Sequence, residues 1–221
     1  MATTAPQAAT LRAADLTAAI VDDRRQLAAF LAELEPDSWD VPSLCEGWRV
    51  RELVAHITMP FRFSTAKFMI EMAKAGGNFN RMADRAAKRD AAAMSTDQLL
   101  AALRDNLNHP WQPSGGGLES ALTHDVIHGL DFTVPLNLDW PIPEERIRTV
   151  LQTVTSPRSL RHFGADLRNV QLLAVDIDWS FGSGVPVMGG AQDLLLLVCG
   201  RTLPPGRLQG RASERFTRRS S

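Results

Sequence analysis

Apolar residues at Leu16, Ile20, Leu27, Phe30, Leu31 and Leu34 fall on one helical stripe and predict a first helix over residues 14–34. Pro36 stops it. A loop containing Pro42, Ser43 and Gly47 runs to Trp48. From residue 50 to 75 the pattern is helical again, with Leu53, Val54, Ile57, Phe61, Phe68, Met69 and Met72 as apolar contacts, and Gly76-Gly77 ends it. Pro60 lies inside that span and lacks the N–H that would reach the carbonyl of His56, so a kink is expected there. Residues 78–94 are Ala-rich and charged, suiting a short helix or a loop lid. Ser95 is an N-cap for a helix marked by Leu99, Leu100, Leu103 and Leu107, which His109-Pro110 closes. After Gly115-Gly116-Gly117 comes a helix carrying His124 and His128 that fades by Pro135.

After Pro143 the period changes. Residues 144–154 read as helix, 170–179 alternate as a strand, and a second strand over 185–188 is bracketed by Gly182, Gly184, Gly189 and Gly190. Residues 191–199 form an apolar helix and 203–210 a further strand. The expected fold is therefore mainly α: an antiparallel four-helix bundle over residues 8–142, then a small α+β domain over 143–210. Arg211, Arg215, Arg218 and Arg219 mark 211–221 as a basic, disordered tail.

Composition narrows the function classes. A net charge of −1 over 221 residues leaves no electrostatic footprint for nucleic acid or an acidic membrane surface. No stretch approaches the length of a membrane span, and the Ala/Thr-rich start lacks the apolar core of a signal peptide. Cys45 and Cys199 are too few for a disulfide framework, which suits a reducing cytoplasm. Tyrosine is absent, which removes one common catalytic acid.

Five histidines are present, and two of them, His124 and His128, stand four apart on one helix face. That spacing can set two imidazoles on one divalent cation, and His56, on another helix, would supply a third nitrogen with a coordination position left open. Asp131 shares the face of His128 and could hold an imidazole N–H, or simply be a solvated or capping aspartate. His109 and His162 read as surface residues. The string His124-Asp125-Val126-Ile127-His128 also approaches the zinc-peptidase pattern H-E-x-x-H. Aspartate is one methylene short for a base on metal-bound water, so the peptidase reading ranks below the bundle reading. Cys45 is a nucleophile candidate; with a helix beginning there, His56 would lie about 16 Å away, favouring a half-buried structural thiol. The Gly115–Gly117 run before a helix could hold an anion but lacks the Lys-Ser/Thr of a P-loop.

Two stretches carry a family resemblance. One runs Trp39-Asp40-Val41-Pro42-Ser43-Leu44-Cys45-Glu46-Gly47-Trp48 and on through Val50-Arg51-Glu52-Leu53-Val54-Ala55-His56. The other is Asp178-Trp179, Gly182, Gly184, Val187, Gly189, Ala191, Leu194-Leu195-Leu196 and Gly200-Arg201. Together they resemble the mycothiol-dependent maleylpyruvate isomerase family, a DinB-like metal-binding four-helix bundle with a small C-terminal domain. The resemblance implies metal ligation by His56 and His128, with His124 where the isomerase pattern has Glu; many DinB-like proteins use three histidines. It implies a divalent metal, zinc first and nickel second, and mycothiol as cofactor. The implied activity is that of an isomerase or S-transferase acting on a small electrophile or dicarboxylate. Arg201 could grip a substrate carboxylate or merely end a helix. The competing class is a non-catalytic metal-binding or stress protein on the same scaffold. As partners the reading allows a small-molecule substrate, no nucleic acid and no membrane, in a monomer or homodimer.

Overall fold

The first helix, α1 (Ala13–Ala32), follows its predicted stripe, with Leu16, Ile20, Leu27 and Leu31 buried. The structure, a computed structural model, describes residues 11–218. The chain divides into two compact units, one of Ile20–Gly117 with His124–Asp139, the other of Met1–Ala19, Leu118–Thr123 and Trp140–Ser221.

In the first unit the centre is α2 (Val50–Ile57), where every residue but Arg51 is buried. Its partners are α5 (Phe79–Ala93), reached through α3 (Met59–Arg62) and α4 (Thr65–Lys74), and then α6 (Thr96–Arg104). The fold is mainly α, as the apolar period predicts. The single long helix over 50–75 is corrected to three. At Thr58 the hydroxyl turns back to the Val54 carbonyl (2.7 Å), and Pro60 occupies the first turn of α3, where its missing N–H costs nothing. Phe63 then goes extended, and Ser64 caps α4 by accepting from the Lys67 N–H (3.2 Å). Arg62 Nη2 donates to the Ala55 carbonyl and Nη1 to Asp90 (both 2.6 Å), fastening the break to α5. Within α4, Phe68 and Met72 pack on Met59, Ala75, Met82 and Ala86, whereas Met69 is exposed rather than a core contact. Residues 79–93 form a full helix capped by Asn78, not a loop lid. The Ser95 cap of α6 is present and completed by Gln98. Then α7 (Leu118–Thr133) carries His124 and His128.

The second unit is a small α+β arrangement. A four-stranded sheet runs in the order β2-β1-β3-β4, from β1 (Val170–Ala174), β2 (Ser180–Gly182), β3 (Val185–Gly189) and β4 (Leu208–Gln209). The pair β1–β3 is parallel, with Val170 opposite Val185, and the other two pairs are antiparallel. Also present are α8 (Glu144–Val154), α9 (Pro157–Phe163) and α10 (Ala191–Val198), of which α9 left no sequence signal that was read. The strand expected over 170–179 ends at Ala174, because Asp176 turns out of it and accepts the Ala191 N–H at the start of α10 (2.9 Å). At Gly184 (φ +133°) a Cβ would lie 2.3 Å from the Asn169 carbonyl carbon, so only glycine closes that turn. The strand expected over 203–210 shrinks to two residues, since Pro204 and Pro205 give no N–H to a ladder. Residues 211–218 are ordered, against the expected disordered tail. A 3₁₀ turn (Ser213–Phe216) buries Phe216, and Leu203 exchanges backbone hydrogen bonds with Phe216 and Arg218. Residues 219–221 lie outside the described residues.

Candidate metal centre

Four residues apart on α7, His124 and His128 come side by side with ring centroids 4.7 Å apart. His56 reaches them from the last turn of α2, at 5.6 Å from His124 and 5.0 Å from His128. One ligand atom from each ring lies within 4.8 Å of the other two. The three predicted residues therefore do meet, in one unit. His56 is buried, and the side chains of His124 and His128 are each 15 % exposed, so the cluster retains an approach. Two indoles border it: Trp48 against His56 and Trp111 against His124, both with centroids 4.9 Å apart.

Carboxylates fix two of the rings. Nδ1 of His128 donates to Asp131 Oδ2 (2.9 Å) and Nδ1 of His124 to Asp125 Oδ1 (2.9 Å). Ionised carboxylates only accept, so in each neutral ring the proton belongs on Nδ1, and Nε2 keeps the lone pair a cation needs. Metal-binding histidines are characteristically supported in this way. Asp131 is fully buried rather than solvated, with its Oδ2 against His128 Nδ1. Asp125 is buried as well, and its Oδ2 receives Nε of Arg24 at 2.7 Å. Burial opposes ionisation of Asp125, but His124 and Arg24 outweigh it and hold the carboxyl below the usual carboxylate range. With both oxygens engaged, Asp125 is badly placed to serve as a peptidase base.

Sequence reasoning kept Cys45 away from this cluster, and the structure brings it in. The helix begins at Val50, not at Cys45, and the preceding loop doubles back at Gly47 (φ +75°). Ser43 bonds Trp48 through both its N–H and its hydroxyl (2.9 Å each), and Val50 N–H donates to Val41. Leu44 N–H then donates to the Asp131 backbone carbonyl (2.8 Å), laying the loop on α7. Cys45 Sγ thereby donates to Asp131 Oδ2 at 3.0 Å and stands 3.9 Å from His128 Nδ1. Trp48 is anchored to α5 by its Nε1–H on Asp84 Oδ1 (2.9 Å).

The remaining candidates have other surroundings. His109 is half-buried, its ring 5.0 Å from that of Phe61, and burial together with the nearby Arg24 charge lowers its pKa. His162 is exposed on α9. Arg201 belongs to the other unit, where its Nη1 donates to the Cys199 carbonyl (3.2 Å) just past α10. Arg24 escaped sequence reasoning altogether.

Residues 20–109 match the family model described as Mycothiol maleylpyruvate isomerase N-terminal domain. The match spans less than half of the chain. The matched span holds Cys45, Trp48 and His56 and stops short of α7, so His124 and His128 are read from geometry alone. The chain shares its fold with two solved structures of the mycothiol-dependent maleylpyruvate isomerase. A histidine-to-alanine mutant of that enzyme superposes with TM-score 0.61 at 15% identity, covering 93% of this chain and 97% of the other. A second crystal structure of it gives 0.54 at 16% identity with the same coverage. No curated protein sequence matches significantly. Among the described residues no helix is long and apolar enough to cross a membrane.

Proposed function

We propose that this protein is a mycothiol-dependent metalloenzyme, an isomerase or S-transferase, whose divalent cation is held by His56, His124 and His128. One observation carries the reading: three imidazoles from two helices converge, two of them with Nδ1 committed to buried carboxylates. Three neutral nitrogens suit zinc, with nickel the next choice, and leave an open position. When bound, such a cation lowers the pKa of a thiol and holds it as a thiolate nucleophile.

The chain's own residues do the rest. Asp131 and Asp125 keep His128 and His124 in the ligating tautomer, and Trp48 and Trp111 wall the cluster with apolar surface that limits water. The matched domain and the shared fold support mycothiol as the thiol and an electrophilic or dicarboxylate compound as the substrate.

The test is turnover of maleylpyruvate, and of an electrophilic thiol acceptor, by zinc-loaded protein with and without mycothiol. Thiol-dependent turnover abolished by a chelator is expected. Metal-loaded protein inert toward both compounds would favour a non-catalytic metal-binding role.

A further inference from the structure

The carboxylate oxygen that meets His124 Nδ1 belongs to a side chain that is itself gripped by a buried arginine. Arg24 is 1% exposed and lies on α1, 101 positions from Asp125 in the chain. Its Nε donates to Asp125 Oδ2 at 2.7 Å, and its Nη1 donates to the carbonyls of His109 (2.8 Å) and Leu107 (3.3 Å). The guanidinium carbon sits 5.0 Å from the centre of the Phe61 ring, whose face further offsets the charge. Nη2 is buried with no hydrogen-bond partner among the described residues.

A buried ion pair is a poor way merely to join two helices, because desolvation costs several kcal/mol per ion and apolar packing does as well or better. This pair does something apolar packing cannot. Arg24 takes one oxygen of Asp125 and thereby turns the other to His124 Nδ1 (2.9 Å). Arginine is always charged, so the carboxylate beside it stays an acceptor and requires the N–H on that ring nitrogen.

We infer that Arg24 and Asp125 are positioning residues for His124, fixing its proton on Nδ1 and leaving Nε2 to the cluster. The inference rests on the metal-centre reading for its purpose, but not for its first readout. That readout is the histidine tautomer in metal-free protein, from long-range ¹H–¹⁵N correlation. The second is zinc affinity by competition with a chromogenic chelator.

In wild type, His124 is expected as the Nδ1–H form. Asp125→Ala should release it toward Nε2–H, leave His128 unchanged, and weaken zinc binding by roughly 10–100-fold. Asp125→Asn offers a single oxygen, which Arg24 Nε claims, so its amide N–H should face His124 Nδ1 and also favour the Nε2–H form. Arg24→Lys keeps the charge but loses the Nε contact, and should give mixed His124 tautomers and intermediate affinity.

Folded Asp125→Ala with the wild-type His124 tautomer and wild-type affinity would overturn the inference. Should that variant not fold, Arg24→Lys unchanged in both readouts would do the same. If zinc fails to bind wild type, or binds His128→Ala equally well, the metal-centre reading falls instead, and the tautomer measurement still decides the role of Arg24 and Asp125.

Discussion

Asp131 Oδ2 receives two hydrogen bonds, from His128 Nδ1 and Cys45 Sγ, so this one atom ties a loop thiol to a metal-ligand candidate. Asp131→Ala should therefore weaken zinc binding about 10–100-fold, whereas Cys45→Ser, which keeps a donor to Asp131, should change it far less. Chelator competition on both variants checks this. Removing one member of a buried pair leaves the other charge stranded. Arg24→Met is accordingly expected to lower unfolding stability by about 3–5 kcal/mol, read from urea titration. The histidines were legible because helical spacing is local: four positions along α7 put two rings on one face. The same spacing placed Asp131 on the face of His128, without deciding between holding an imidazole and facing solvent. Arg24 was not legible, since on an amphipathic helix an arginine reads as a surface residue until a carboxylate 101 positions away is placed beside it. The place of Cys45 depends on a chain reversal at Gly47, of which spacing along a helix says nothing.

At the scale of elements, α2 delivers His56 from a helix whose first turn is secured by Glu52. Its carboxylate accepts from the Arg49 backbone N–H (2.8 Å) and Nε (3.0 Å). Burial favours the neutral form of Glu52, but the contacts with Arg49 prevail and its pKa is lowered. A carboxyl depressed in the folded state stabilises fully above its unfolded value of about 4.3, and that contribution drains away as pH falls through the lower, folded value. Glu52→Gln should therefore be less stable than wild type at neutral pH and lose less on acidification, as paired denaturant titrations at neutral and acid pH would show. The same region shows how far periodicity reaches. The apolar stripe over 50–75 was continuous enough to predict one helix with a kink, yet three helices resulted. Pro60 starts a helix rather than distorting one, and Ser64 caps the next. Among the β elements, β3 was located to within a residue and β2 was not expected. The strands over 170–179 and 203–210 were drawn too long, because Asp176 turns away to Ala191 and the Pro204-Pro205 pair gives no N–H to a ladder.

At the scale of the molecule, mainly-α architecture with a small α+β unit was legible from the change of period after Pro143. The ordering of residues 211–218 was not: a run rich in arginine gave no hint that Phe216 would be buried and Leu203 would pair with it. A cation joining two helices of one unit should also stabilise the fold by mass action. At a free zinc concentration a hundredfold above its dissociation constant the gain is about 2.7 kcal/mol. Zinc should thus raise the melting temperature of wild type, a chelator should reverse the rise, and His124→Ala should respond to neither. The most direct test of the whole account is elemental analysis of purified protein beside His56→Ala, His124→Ala and His128→Ala, each verified as folded. The account predicts stoichiometric divalent metal in wild type and a marked loss in every variant; three folded variants retaining the wild-type metal content would contradict it.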